Sequence, residues 1–295
     1  MVVNLKYYVL SFVAIFLALG VGIFIGVMLD GQEMIVEQQQ QLVKQLESKF
    51  DEFKHKQDEL QTRNDLLIAE REKNLKFIDI VYPEAIQNKL KDLDVVIIET
   101  SEDYAYSGLI DAFQKAGVHS VSNILIKNTM LLNDEAFAKQ IASDLKLKGK
   151  TPTDIEKQLL KEFHDALIKG NNFELIRYLK EKKIIDYSGN LTFPPDYVLI
   201  AGGSMDSNKE ILNRIDIPLI NYSKNSNIPV MAVEKSNVGV SNIGEYKKLR
   251  ISTVDNADTI AGKVSILMVV SGRSGHFGEK DTAEDYMPEG FITID

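Results

Sequence analysis

From Tyr7 to Leu29 the chain reads YYVLSFVAIFLALGVGIFIGVML, about 23 residues without a charge. A helix rising about 1.5 Å per residue carries such a run across a hydrocarbon core roughly 30 Å thick. Residues 1–30 are therefore expected to form a transmembrane anchor. Within it Ala14, Ala18, Gly22 and Gly26 recur at four-residue spacing, a smooth stripe along which a second helix could approach closely. A cleaved signal sequence is the competing reading, because Ala18-Leu19-Gly20 has small-x-small form. The apolar continuation from Val21 to Leu29 exceeds a signal core and favours the anchor. Lys6 precedes the run, whereas Asp30, Glu33 and Glu37 follow it, which points to a cytoplasmic N-terminus and an extracytoplasmic remainder. Tyr7 and Tyr8 stand where an interfacial aromatic anchor belongs in a chain that has no Trp.

Residues 31–82 change character. Between 32 and 82 there is neither Gly nor Pro, and Gln, Glu, Lys and Asp dominate. A heptad register fits, with Val36, Val43, Phe50, Gln57, Asn64, Arg71 and Ile78 at a and Gln39, Leu46, Phe53, Leu60, Leu67, Asn74 and Val81 at d. Nine of these fourteen positions are apolar, which predicts a coiled-coil stalk. Asn64 at a core position would hold one register. A single amphipathic helix lying on the globular domain is the alternative. Phe50 and Phe53, and the small-residue stripe preceding them, favour a parallel self-associating rod.

The composition narrows what the rest can do. A net charge of −9 without any Lys/Arg-rich block argues against a nucleic-acid partner. The absence of Cys removes disulfides, thiolate metal sites and Cys nucleophiles together.

Residues 83–295 then read as a three-layer α/β domain with a mostly parallel sheet. Buried-strand runs stand at Asp94–Glu99, Val118–Ile126, Tyr197–Ala201, Pro229–Glu234 and Ile251–Val254. Helices are expected near Tyr104–Ala116, at Thr151–Ile168, Phe173–Lys182, Ser207–Ile215 and Ile260–Val270. Thr153 and Glu156 have capping-box spacing, Leu145–Lys150 reads as an exposed connection, and about 134–182 as a helical insertion or added layer.

The most specific stretch is Ile251–Gly278. Ser252, Thr253, Asp255, Asn256 and Asp258 crowd the approach to an apolar helix that Asp258 or Thr259 can cap, and Ser271–Gly278 reads as an exposed Gly-rich exit loop. Together with Gly20, Gly22 and Gly26 in the anchor, Ser252–Asn256 and Gly275–Gly278 resemble the MctB-like family, labelled copper transporters and including the actinobacterial septal envelope proteins. The resemblance extends over the whole layout of anchor, coiled stalk, α/β domain and closing motif. Phe277 departs from it, standing where the family more often carries an aromatic hydroxyl.

That family label implies copper. Copper(I) prefers thiolate or thioether donors and copper(II) clustered imidazoles. The chain has no Cys, its four His (His55, His119, His164, His276) are far apart, and its eight Met include no pair at ligand spacing. Residue chemistry alone therefore assigns no metal ligands and no cofactor; copper enters through the resemblance only.

Enzymatic signals are equally sparse. Gly202-Gly203-Ser204 follows a strand where open α/β sheets bind ligands, but lacks both GxGxxG and GxSxG form. Asp255, Asp258 and His276 could converge, yet turn and cap chemistry accounts for the acids. Gly202, Gly203, Ser204, Ser252, Thr253, Asp255, Asn256, Asp258 and His276 remain a candidate ligand set without a catalytic assignment. The leading expectation is a non-enzymatic envelope protein that pairs with itself through anchor and stalk and engages another envelope or membrane protein in assembly or division. Copper transport or efflux, and small-ligand sensing by the 202–204 and 252–258 loops, are the alternatives.

Overall fold

The computed structural model describes residues 5–191, 194–207 and 209–290, and within these leaves out the side chains of 29–35. Asp30 and Glu33, which bear on orientation, fall in that stretch and lie outside the description. Helix α1 runs unbroken from Leu5 to Ile86. Its segment Leu5–Met28 is long and apolar enough to cross a membrane, with a mean hydropathy of 2.6. Pro83 does not end it. The helix continues one turn further, and Gln87 N donates to Pro83 O at 3.0 Å. The chain forms two compact units, Met1–Phe77 and Ile78–Asp295.

In the second unit seven strands form one sheet in the order β3-β2-β1-β4-β5-β6-β7. These are β1 Asp94–Glu99, β2 Ser120–Ile126, β3 Ile185–Gly189, β4 Tyr197–Ala201, β5 Val230–Val233, β6 Ser252–Val254 and β7 His276–Phe277. All neighbours pair in parallel except β2 and β3. The central strands are apolar on both faces because both are covered. In β1, Val96 and Ile98 enter one core while Val95 and Ile97 enter the other. Helices α3 (Glu135–Leu145), α4 (Pro152–Lys169), α5 (Phe173–Glu181), α6 (Ile217–Asn225) and α7 (Ile243–Lys248) pack on the first face. Ile86, α2 (Ser107–Ala116) and α8 (Ile260–Val270) cover the second. This is a three-layer α/β fold of the expected class.

Several local expectations need correcting. The capping box of α4 is Thr151 with Asp154, not Thr153 with Glu156, because Pro152 takes the first helical position. Glu156 is buried instead and pairs with Arg214. The helix expected at Ser207–Ile215 passes through a π-turn, Leu212–Asp216, and continues as α6 to Asn225; Pro218, which has no N–H to donate, sits just beyond the widened turn. The segment Ser271–Gly278 is not wholly an exit loop, since His276 and Phe277 add β7 to the sheet beside β6. Helices α3–α5, the expected added layer, connect β2 to β3 on the first face.

Candidate functional site

Connections from β1 lead outward through β2 to β3, and those from β4 lead the other way through β5 and β6 to β7. The crevice at the carboxyl ends of β1 and β4 is thus the topological switch point, where open α/β sheets take ligands. Gly202, Gly203 and Ser204 leave β4 there. Three tyrosines fill the place. Tyr106 Oη donates to Gly202 O at 2.5 Å and accepts from Lys235 N at 3.3 Å. Tyr104 Oη donates to Ser204 O at 3.3 Å and accepts from Gly239 N at 2.9 Å. Tyr246 lies against Gly202 so closely that a Cβ on that glycine would come within 2.2 Å of its Oη. The Gly202 position is therefore explained by the aromatic ring packed against it. Ser204 pairs through its backbone with Val240, and its hydroxyl donates to Asp206 Oδ1 at 3.4 Å.

Beneath this lid lie buried acids, Glu99 and Glu234 at the ends of β1 and β5 and Asp216 in the π-turn before α6. Glu99 accepts from Asn123 Nδ2 at 2.8 Å and Tyr106 N at 3.3 Å, yet burial outweighs these bonds and raises its pKa. Asp216, fully enclosed, is raised to about 6, chiefly by burial and also by the nearby Glu234 charge; the hydroxyls of Tyr246 and Thr100 pull it back in part. Tyr246 Oη donates to its Oδ2 at 2.5 Å. Glu234 accepts from Asn242 N at 2.5 Å and Ser241 Oγ at 2.7 Å, and pairs with Lys280 Nζ at 3.1 Å.

The acids after β6 hold neighbouring loops. Asp255 accepts from Glu279 N at 2.7 Å and Lys280 N at 3.1 Å, clamping the turn that follows β7. Asn256 accepts through its carbonyl from Thr259 N and Oγ1, both at 2.9 Å. Thr259, not Asp258, caps α8, accepting from Gly262 N at 2.9 Å. Asp258 accepts from Ser236 N at 2.6 Å and Ser236 Oγ at 2.8 Å. Burial pushes its pKa up, but these bonds and the Lys235 charge prevail and leave it lowered.

Ser252 and Thr253 lie within β6, away from those loops. Ser252 Oγ accepts from Gly275 N at 3.3 Å, and Thr253 Oγ1 meets His276 Nδ1 at 3.0 Å. His276 has a lowered pKa, through burial first and then the Lys247 charge, with Glu284 opposing. Among the described residues no hydrogen bond joins His276 to Asp255 or Asp258. His276 thus stands apart from the acid loops, whereas Asp258 borders the same cleft as Tyr106, the residue bonded to Gly202. Sequence reasoning missed the tyrosine lid and the pair Glu234-Lys235, although charged residues directly after a buried strand run are a readable signal of a strand's carboxyl end.

The potential copper donors are dispersed and largely engaged. His119 Nδ1 pairs with Asp94 at 2.8 Å, and buried His164 meets Ser223 Oγ at 3.2 Å through Nε2. His55 lies on the exposed surface of α1. Among the described residues no three His, Cys, Asp or Glu side chains converge as a metal-binding group. The small residues Ala14, Ala18, Gly22 and Gly26 share the exposed surface of the membrane-length segment.

Comparison with curated proteins finds no match. The family model described as copper transport outer membrane protein, MctB, matches residues 2–288, nearly the entire length, and the chain belongs to that family.

Proposed function

We propose that this is a non-enzymatic envelope protein, anchored with its N-terminus in the cytoplasm, that pairs with copies of itself through α1 and offers its α/β unit to another envelope or membrane protein. The observation that carries this reading is the apolar seam of α1 beyond the membrane segment. Phe50 and Phe53 are each 69 % exposed on the single helix, and Leu46, Leu60 and Leu67 continue the same heptad positions. Burying each such side chain is worth about 1.5–3 kcal/mol, which a lone helix forgoes and a coiled coil recovers. The non-enzymatic assignment is supported by the commitments of the candidate acids, whose oxygens hold backbone N–H groups and loops.

Sedimentation of the full chain in neutral detergent tests the pairing. A defined oligomer is expected for the wild type, with dissociation toward monomer in the Phe50→Gln/Phe53→Gln variant. A monomeric wild type across micromolar concentrations overturns it. Loss of the gene is expected to alter cell shape, division or envelope-stress sensitivity; unchanged phenotypes count against the partner-binding role.

The family description favours a second reading, copper transport. The donor set does not fit a resident copper centre within one chain, since thiolates are absent and the imidazoles are scattered. Passage of an ion would also need several copies, because one helix encloses no pore. Cellular copper content that stays the same on deletion removes this reading.

A further inference from the structure

The heptad frame of the stalk does not stop at the membrane segment. Helix α1 is unbroken from Leu5 to Ile86, and its proline, Pro83, lies far beyond the apolar run. The angular phase of the stalk positions therefore carries through residues 29–35 into Leu5–Met28. Counting back by heptads from Val36 and Gln39 places Tyr8, Ile15 and Gly22 at a and Ser11, Ala18 and Ile25 at d. Ser11, Ala18 and Gly22 are residues of the small kind that membrane helices use where two backbones approach. Ala14 and Gly26 fall at the flanking g and e positions. The Phe residues of the segment stand off the seam, Phe16 and Phe24 at b and c and Phe12 at its e margin. On the single helix all of these side chains are exposed, and nothing lies within 4 Å of where a Cβ on Gly22 or Gly26 would be.

Two contact faces thus compete within the membrane segment. A contact along Ala14, Ala18, Gly22 and Gly26 is of the four-residue kind, which crosses two helices right-handedly at about −40°, whereas a heptad seam is left-handed at about +20°. One helix cannot serve both senses without a bend. From Gly22 to Val36 the rise is about 21 Å, and two straight helices crossing at about 40° separate by about 14 Å over that distance. That separation would draw Val36, Val43 and Leu46 away from their counterparts in a second copy. The stalk seam, whose Phe50 and Phe53 stand exposed on the lone helix, therefore decides the crossing inside the membrane.

We propose that the membrane segment meets a second copy of this chain along Ser11, Ile15, Ala18, Gly22 and Ile25, in one left-handed seam continuous with the stalk. Copies anchored in the same membrane run parallel, so equal positions face each other across this seam. Ala14 and Gly26 then flank the contact instead of forming it. The inference rests on the reading of α1 as self-pairing and adds which face pairs inside the membrane and in what phase.

The chain has no Cys, so any cysteine introduced is unique. Single cysteines are placed at each position from Tyr8 to Met28 and at Leu46, and the full chain is oxidised with iodine in membrane vesicles. Disulfide-linked dimer is read on non-reducing gels, and Leu46→Cys reports the stalk by itself. The expected profile peaks at Ser11→Cys, Ile15→Cys, Ala18→Cys, Gly22→Cys and Ile25→Cys. Yields at Ile15 and Ile25 should exceed those at Ala14 and Gly26 about threefold, because a disulfide needs Cβ atoms about 4 Å apart. Two alanines inserted after Gln38 turn the membrane face by about 200° against the stalk. That insertion is expected to abolish the Ile15→Cys dimer while sparing Leu46→Cys, and a seven-alanine insertion, one whole heptad, to restore it. Peaks at Ala14 and Gly26, a flat profile, or an Ile15→Cys dimer indifferent to the two-residue insertion overturns the continuous seam and leaves the stalk pairing standing. Absence of dimer at Leu46→Cys overturns the stalk pairing, and this inference with it.

Discussion

Asp216→Asn isolates the cost of the enclosed acid beneath the lid. Asp216 has no exposure, and burial raises its pKa from 3.8 to about 6. A shift of about 2 units corresponds to about 3 kcal/mol. The sign follows from proton binding. Between pH 4 and 6 the folded state holds a proton on Asp216 that the unfolded chain has released, so stability falls as pH rises through this window. The contribution is fully present below the unfolded value and absent above the folded one.

An amide removes the ionisation and keeps an oxygen to accept from Tyr246 Oη, the bond that now reaches Asp216 Oδ2 at 2.5 Å. The variant should therefore gain about 3 kcal/mol relative to wild type between pH 3.5 and pH 7. Urea unfolding followed by tyrosine circular dichroism reads the α/β unit, because nine of the eleven tyrosines belong to it. With a slope of about 2–3 kcal/mol per molar urea, the relative midpoint should move by about 1 M. Subtracting the two pH profiles cancels the titrating groups that are not coupled to Asp216. A difference that stays flat from pH 3.5 to 7 would show that Asp216 is not held away from its ionised form, and the burial argument would fail.

Other substitutions probe other parts of the fold. Arg214 joins buried Glu156, Glu210 and the Leu131 carbonyl, so Arg214→Met should destabilise by about 3–5 kcal/mol. Adding Glu156→Gln should restore part of that loss; a double variant no better than the single refutes the stranded-charge account. Gly278 has φ +143°, and a Cβ there would lie 1.9 Å from Asp255 Oδ1. Gly278→Ala should cost about 3 kcal/mol or more, by strain together with loss of the clamp on Glu279 and Lys280. Gly272→Ala, at φ +112° with open space around it, should cost only about 1 kcal/mol of backbone strain. Equal melting temperatures for the two variants would show that the close approach to Asp255 is not a constraint.

What the sequence disclosed depended on how local the cause was. DVVIIE, YVLIA and the apolar helix Ile260–Val270 were legible because a strand or helix buried on nearly all sides announces itself within its own residues. Strand β3 was not, since IDYSG is polar and owes its conformation to pairing with β2, about 60 residues earlier. Strand β7 has only two residues and likewise depends on a neighbour. The cap at Thr151 was displaced by two positions because Pro152 was not weighed as the first helical residue. At the candidate site, Gly202-Gly203-Ser204 read as a turn open to a ligand. The groups that occupy it, Tyr104 and Tyr106, lie about a hundred residues away, and no local pattern connects them. Asp258 had the right chemistry for a helix cap, but Ser236 from the preceding crossover claimed it.

The two margins of the sheet bear on how such a chain survives crowding. Copies joined through a shared helix would hold their α/β units at millimolar effective concentration, where any open strand invites a neighbouring chain to extend the sheet. Here β3 is short and mostly exposed polar residues, ending at Gly189. On the far side β7 is only two residues long, and Phe277 is already bridged to Asp285. The sheet thus offers little template for fibre-like growth at either edge, so close tethering need not lead to aggregation.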